Sequence, residues 1–406
     1  GKFLEDANTP LDFPEAYASA QSPSVGQDLA SIVASACLAH DMGNPPFGHF
    51  GEKAISEFFA IGTGAELLQD DSLSLSEVHY ADLRTFDGNA NALRLLARPL
   101  PGKRPYGFLL SYPTLASIIK YPYDSRYAQA IHPDKSKMGF FASEHGMVAQ
   151  MAERLGLQDR STELGTRYSR HPLVYLVELA DDVCNTVTDL QDGFHLRLIN
   201  NKEVEHVYYE IIRATKPHAV DRTRRALRRL DPSEAGERIN FLRGIVLNEL
   251  AMLAFENFTE NLDVQMAQGW LPIENLLEIA VKGNKTLQTV FAHIEDIKKA
   301  ALYRETKVIQ LELAGNRILS TLLEYFCTAT LKHHKGQRMT ISERHLYDLL
   351  PHFHQVDAKT GANPLQEDNV YYEALFSVID YITNMTDAFA LDLFRKITGS
   401  KIPEFG

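Results

Sequence analysis

The amino-acid sequence predicts an all-α protein, and three observations carry that expectation. Apolar residues recur at helical spacing through most long segments. Alternation with a period of two is rare, so any strands should be short. Clusters of Gly, Pro, Asp and Ser at 60–76, 98–107, 122–136 and 355–368 punctuate the chain as loops. Taken in order, residues 27–40 place Leu29, Ile32, Val33, Ala36 and Cys37 on one stripe that ends at His40. Pro45-Pro46 stops this helix, because proline lacks the amide hydrogen and clashes with the preceding turn. A second helix begins near Phe50 and runs through "EKAISEFFA". Further apolar helices are expected at 172–192, 241–262, 275–300, 306–328 and 371–398. The pattern reads as a compact multi-helix body: a catalytic core over 1–234, and a C-terminal helical region over 235–406 packed on it.

Composition narrows the function classes. With 406 residues and a hydrophobic fraction of 45%, the chain can build a sizeable core. Its apolar runs fall short of the roughly 20 residues that span a bilayer, so no membrane partner is expected. The polar start "GKFLEDANTPLDFPEAY" does not read as a secretory leader. Cys37, Cys184 and Cys327 are far apart with no CxxC pair, which points to a reducing cytoplasm rather than a disulfide framework. A formal net charge of −12 repels nucleotides at long range, so an anionic ligand needs a local basic cluster or a metal ion. One basic run exists: "RATKPHAVDRTRRALRRLD" (213–231) holds seven Lys/Arg against two Asp. It reads either as a solvated helix face or as an anion or nucleic-acid contact.

The densest chemistry lies in "LAHDMGNPPFGHFGEKA" (38–54). His40 and Asp41 are adjacent at a helix end, where two side chains can take neighbouring positions on one metal. Imidazole with carboxylate suits Mn, Fe, Co, Ni or Zn, and Mg more weakly. The turn "GNPPFGH" should swing His49 back toward this pair. Glu52 stands three residues on, one helical turn away, where it can orient His49. A histidine with a carboxylate partner is suited to general acid–base work. A further ligand has to come from elsewhere, and the helix "RHPLVYLVELADDVCNTVTDLQDGF" is the best supplier. Its Glu178, Asp181, Asp182, Asn185, Asp189 and Asp192 line one side. This is either an acid stripe in water or a set that puts Asp181 on a metal and Asp189 on a ligand. The paired histidines of "LKHHKGQR" (331–338) read as solvated, and His352 with His354 as a weaker metal candidate.

"CLAHDMGNPPFGHFGE" (37–52) resembles the ALAHD-GNPPFGH-GE signature of the HD-domain deoxynucleoside triphosphate triphosphohydrolases, in particular the dGTPase group. Further segments match in order: "RTFDGNANALRLL" (84–96, with Asp87 where the family has Glu), "YPTLASIIKYP" (112–122), "KMGFFASE" (137–144), "RHPLVYLVELADDVCNTVTDLQD" (170–192), "KVIQLELAGNRILSTLL" (307–323) and "YITNMTDAFALDLFRKITG" (381–399). The resemblance implies an all-α HD fold whose metal is held by a histidine, the His40-Asp41 pair and Asp181. It implies His49 and Glu52 as the catalytic pair, Lys120 and Tyr121 as phosphate contacts, and Asp189 near the deoxyribose. Asn185 stands where the family carries a Tyr, which shortens that substrate contact. The implied activity is metal-dependent hydrolysis of a dNTP, dGTP first, to deoxynucleoside and inorganic triphosphate. Mn²⁺ or Mg²⁺ is the expected metal, single-stranded DNA or a dNTP a possible effector, and a hexamer the expected homo-oligomer. The family's first metal histidine, expected upstream of His40, has no counterpart in this sequence. The expectation is that stretches of the natural protein are missing from the sequence there, with a genuine loss as the alternative. Two other functions stay open: an HD phosphohydrolase acting on another nucleotide, and a nucleotide- or single-stranded-DNA-binding regulator with an incomplete metal site.

Overall fold

A computed structural model describes residues 23–98, 108–131, 137–231, 234–260, 276–302, 306–351 and 369–401. The all-α expectation holds: no strand occurs among the described residues, where pairing is limited to isolated bridges such as Tyr123 with Arg167. Residues 1–22 of the upstream region where a further histidine was sought, His352 with His354, and the loop at 355–368 lie outside the described residues.

The chain divides into two compact units, one formed by Gly1–Cys37 with His171–Ile309 and the other by Leu38–Arg170 with Gln310–Gly406. The boundary read near residue 234 falls inside the first of these. The physical reason is packing. The helix Ala235–Glu260 lies against Asn201–Thr215 and against Val174–His195, so it shares their core. Val187, Leu190, Tyr208, Ile211, Leu242, Val246 and Leu250 are buried there. The Tyr208 hydroxyl donates to the Val187 carbonyl at 2.7 Å, which satisfies the one polar group this ring brings inside. The stripe on the helix Pro23–Ala39 is half-buried to buried at Leu29, Ile32, Val33, Ala36 and Cys37, as its spacing predicts.

In the second unit the helices His49–Ala60, Glu77–Arg84, Gly88–Ala97 and Val370–Thr383 surround a core of Ile55, Phe58, Phe59, Phe86, Phe141, Phe326 and Phe376. Sequence periodicity missed several short helices here, and it merged others. The stretch expected as one helix at 371–398 is two, Val370–Thr383 and Asp387–Ile397, because Thr386 caps the second through its side chain. In the first unit, likewise, Asn284 caps Lys285–Ile297 and splits 275–300 after Leu276–Lys282. The expected loop at 122–136 contains the helix Ser125–Ile131, and that at 60–76 contains Thr63–Leu67.

A charged cluster ties the helix Val370–Thr383 to Gly88–Ala97. The fully buried Arg94 guanidinium donates to both Asp380 oxygens at 2.7 and 2.9 Å and to Glu144 at 3.2 Å. It also stands 4.6 Å from the Phe376 ring centre. Arg98 donates to both Glu373 oxygens at 3.0 Å and to Glu144 at 3.1 Å. Neither arginine has an apolar way of leaving this arrangement, since each carboxylate would stay buried without its cation. Replacing Arg94 by Met should therefore cost about 3–5 kcal/mol, read as a lowered denaturant midpoint for unfolding.

Candidate functional site

The site is built on the turn that follows His40-Asp41. Met42 donates to the Ala39 carbonyl and Asn44 to that of Asp41, so the chain leaves the helix through tight turns before Pro45-Pro46. Phe47 and Gly48 both take the left-handed region, with φ of 66° and 58°. Gly48 is at ease there. Phe47 is held there by its own amide, which donates to Asp387 at 2.9 Å, and by the close approach of its ring to Gly315. This reversal starts the helix His49–Ala60 at His49 itself. The turn also interlocks with the start of Gly88–Ala97. A Cβ at Gly43 would stand 2.0 Å from the Gly88 carbonyl, and one at Gly88 would stand 2.5 Å from a Glu52 oxygen. The Asn91 side chain donates to the Gly43 carbonyl at 2.8 Å.

His49 and Glu52 come together, as their spacing predicts. His49 Nδ1 lies 3.2 Å from Glu52 Oε2, with the imidazole largely exposed and the carboxylate nearly buried. The other oxygen, Glu52 Oε1, accepts from the Gly88 amide at 2.9 Å, at the N-terminus of a helix where anions are favoured. Lys137 Nζ stands 3.5 Å from Glu52 Oε2 and 3.8 Å from Asp87 Oδ2. Burial opposes the charge on Glu52, but the hydrogen bond with His49, the charges of Lys137 and His49 and the Gly88 amide hold it below the ordinary carboxylate range. The hydrogen bond to Glu52 raises His49 above its ordinary value, against a smaller opposing effect of burial, and Asp41 adds to the rise. Lys137 keeps its proton because Asp87, Glu52 and Tyr121 outweigh its burial. Asp87 is fully buried, and burial is the main reason that its carboxyl is pushed up to about 6, with Lys137 opposing and Glu52 adding.

His40 and Asp41 stay adjacent in space, with His40 Nε2 3.3 Å from Asp41 Oδ2. Two ligands at right angles on a metal with bonds of about 2.0–2.2 Å lie roughly 3 Å apart, so this spacing and donor chemistry fit neighbouring ligands of one divalent cation. Among the described residues, no group of three or more His, Cys, Asp and Glu side chains gathers that could hold a metal. Asp181 belongs to the other unit, on the helix Val174–His195, where its Oδ1 accepts from Asn185 at 2.7 Å. The acid stripe on that helix is only partly in water, since Glu178 is buried and Asp181 and Asp182 are half-buried. Asp189 is engaged by the buried Lys298 ammonium at 2.8 Å. Lys120 Nζ lies 5.8 Å from the Tyr121 ring centre. Gly139 donates to the Tyr123 carbonyl at 3.0 Å, which sets the segment carrying Lys137 beside 121–123.

Sequence reasoning missed Lys137 as a site residue. It opens the "KMGFFASE" segment, yet 84 intervening residues separate it from Glu52 and no local spacing marks it. Its nearest sequence signal is the "FDGN" stretch, whose Asp87 accepts from the amide of Met138 at 3.1 Å.

These features define a helical protein whose second unit joins a candidate pair of metal ligands to a histidine–carboxylate pair backed by a lysine. Its relatives give the family. A deoxyguanosinetriphosphate triphosphohydrolase-like protein of Pseudomonas aeruginosa (strain LESB58) is 32% identical over 377 residues, covering 93% of this chain and 79% of that protein. One of the same description from Synechocystis sp. is 32% identical over 377 residues, covering 92% and 78%. A deoxyguanosinetriphosphate triphosphohydrolase of Yersinia pestis (strain Pestoides F) is 28% identical over 419 residues, covering 91% and 79%. No protein-family model matches the chain. The chain belongs to the deoxyguanosinetriphosphate triphosphohydrolase-like family. No helix among the described residues is long and apolar enough to cross a membrane.

Because Glu52 raises His49, the histidine's contribution to stability is complete below its ordinary value and fades as pH rises through the raised one, while that of Glu52 is lost as pH falls through its lowered value. A histidine-resolved NMR titration should place the His49 midpoint above about 6.5. Glu52→Gln should move that midpoint down, and an unmoved midpoint would separate the two side chains.

Proposed function

We propose that this chain hydrolyses deoxynucleoside triphosphates, dGTP foremost, to deoxynucleoside and inorganic triphosphate in a metal-dependent reaction on an HD fold. The observation that carries the reading is the His49–Glu52 pair, fixed by the Gly88 amide and Lys137 just beyond His40-Asp41, in a chain of this family. His40, Asp41 and Asp181 would hold the cation, Mn²⁺ or Mg²⁺. When bound it supplies positive charge against the α-phosphoryl group and acidifies a water. Lys120, Tyr121 and Lys137 bind the triphosphate, and their charge and alignment lower the barrier to phosphoryl transfer. His49 carries a proton at the attacking or leaving oxygen, and Glu52 keeps its ring oriented and its charged form favoured. Asn185 and Asp189, the latter paired with Lys298 at 2.8 Å, would contact the sugar.

The test incubates the purified chain with each dNTP and Mn²⁺ or Mg²⁺ and resolves the products. Free deoxyguanosine with intact triphosphate is expected, whereas phosphate alone would assign a different phosphohydrolase reaction. His49→Ala should slow turnover on the order of 10²–10⁴ while the circular dichroism spectrum stays helical. Unchanged turnover would remove His49 from the chemistry.

A regulatory partner is part of this reading, either single-stranded DNA or a dNTP effector. Its support is that Arg222, Arg224, Arg225, Arg228 and Arg229 are all exposed on and just after the helix Val220–Leu227 of a chain with net charge −12. On the basic run 213–231, Arg224 pairs with Asp221 at 3.5 Å, Arg213 with Glu210 at 3.4 Å and Lys216 with Glu249 at 2.7 Å. Neutralising Arg224, Arg225, Arg228 and Arg229 together should abolish stimulation by oligonucleotide and flatten its salt dependence. Full stimulation by the variant would return the run to a solvated face. Assembly into a homo-oligomer, a hexamer by resemblance, completes the proposal, with Leu311 and Leu313 half to two-thirds exposed on the helix Thr306–His334.

A further inference from the structure

Asp87 has no place in the chemistry above, yet it is the most deeply buried carboxylate beside the site. It is wholly removed from solvent and makes four separate polar contacts. Its Oδ1 caps the helix Gly88–Ala97 by accepting from the Asn89 amide at 2.8 Å and from the Asn89 side chain at 2.7 Å. Its Oδ2 accepts from the Met138 amide at 3.1 Å and faces Lys137 Nζ at 3.8 Å. A cap alone needs one oxygen, and Ser, Thr or Asn would supply it without burying a charge. The second oxygen is committed to the 137–138 segment on both the backbone and the side-chain side. Lys137 itself is only one-third exposed and points between Glu52 and Asp87. An ammonium on a flexible four-carbon stem has no preferred direction of its own, so its direction is set by the fixed charges around it.

We propose that Asp87 is a positioning residue for Lys137: its buried carboxylate fixes both the backbone and the ammonium of that lysine, so that a cation stands beside the His49–Glu52 pair where a triphosphate is received. The inference rests on the reading of this site as a triphosphate seat. Glu52 alone does not fix the lysine, because its Oε2 is shared with His49. Asp87 Oδ2, by contrast, is directed at Lys137 and its neighbour's amide. One helix N-terminus therefore serves both halves of the arrangement: its first amide holds Glu52, and its capping residue holds Lys137. The raised carboxyl of Asp87 agrees with this role, since a carboxylate this deep keeps its charge only while a cation stays near.

The experiment is a double-mutant cycle on the full chain, read by calorimetric titration with the magnesium salt of inorganic tripolyphosphate. Asp87→Asn and Asp87→Ser both keep a capping acceptor and remove the charge, so one serves if the other fails to fold. Thermal melting reports the structural cost separately. Each variant should weaken tripolyphosphate binding about tenfold, as expected for a misplaced charged contact, and Lys137→Met should do at least as much. In the Lys137→Met background the Asp87 variants should then cost nothing further. If Asp87 variants bind as tightly as the parent, or cost as much with Lys137 removed as with it present, Asp87 is a structural cap and the proposal is overturned. If Lys137→Met itself leaves tripolyphosphate affinity unchanged, the triphosphate seat is wrong and the inference goes with it, an outcome distinct from the failure of Asp87 alone.

Discussion

The site depends on how one carboxylate divides its two oxygens. Glu52 gives one to a helix N-terminus and the other to His49 and Lys137. Desolvation alone would drive such a nearly buried group toward its neutral form. The Gly88 amide, the imidazole and the ammonium together reverse that tendency, so the group is favoured as an anion and shifts its partner toward the protonated form. Direction matters as much as charge. The amide comes from the rigid first turn of a helix, so it fixes Glu52 in place, and Glu52 in turn fixes an imidazole that is otherwise open to solvent. An exposed histidine placed this way combines access to a ligand with a defined orientation.

That helix must itself be immobile for the arrangement to hold, and the buried arginines supply the restraint. Arg94 on its later turns and Arg98 just past its end reach Asp380, Glu144 and Glu373. Two cations meet three carboxylates in a largely buried space, where each group is costly unless all the others are present. The same helix therefore carries the site at its beginning and its anchor further along. Its partner in the anchor, Val370–Thr383, comes from nearly three hundred residues later in the chain, so the site's geometry depends on the C-terminal segment having folded.

Much of this was legible in the sequence, and the physics explains which parts. The three-residue spacing of His49 and Glu52 on a helix is a local property, and the pair forms as read. The all-α class follows from periodicity summed over long segments, and it holds. Short helices such as Glu77–Arg84 and Ile341–Leu349 escaped because two turns carry too little periodicity to register. The second of these does carry a visible signal, since Thr340 and Glu343 form a reciprocal capping box. The breaks at Asn284 and Thr386 escaped for the opposite reason: the apolar pattern runs through them, and only the capping side chains mark the new start. Lys137 was beyond reach because its meaning lies in distances to residues at 52 and 87, which no local window contains. Asp87 was noticed as a substitution, but its burial and its hold on Met138 are tertiary facts.

The interlocked glycines give the turn and the helix a shared history. With Gly43 pressed on the Gly88 carbonyl and Gly88 pressed on Glu52, neither segment has room to acquire a side chain while the other stays put. The two stretches can drift during evolution only as a matched set. A chimera that took the His-Asp turn from one relative and the helix start from another would bring together surfaces never shaped for each other. Recombination joints placed within the block from 40 to 92 should thus be punished.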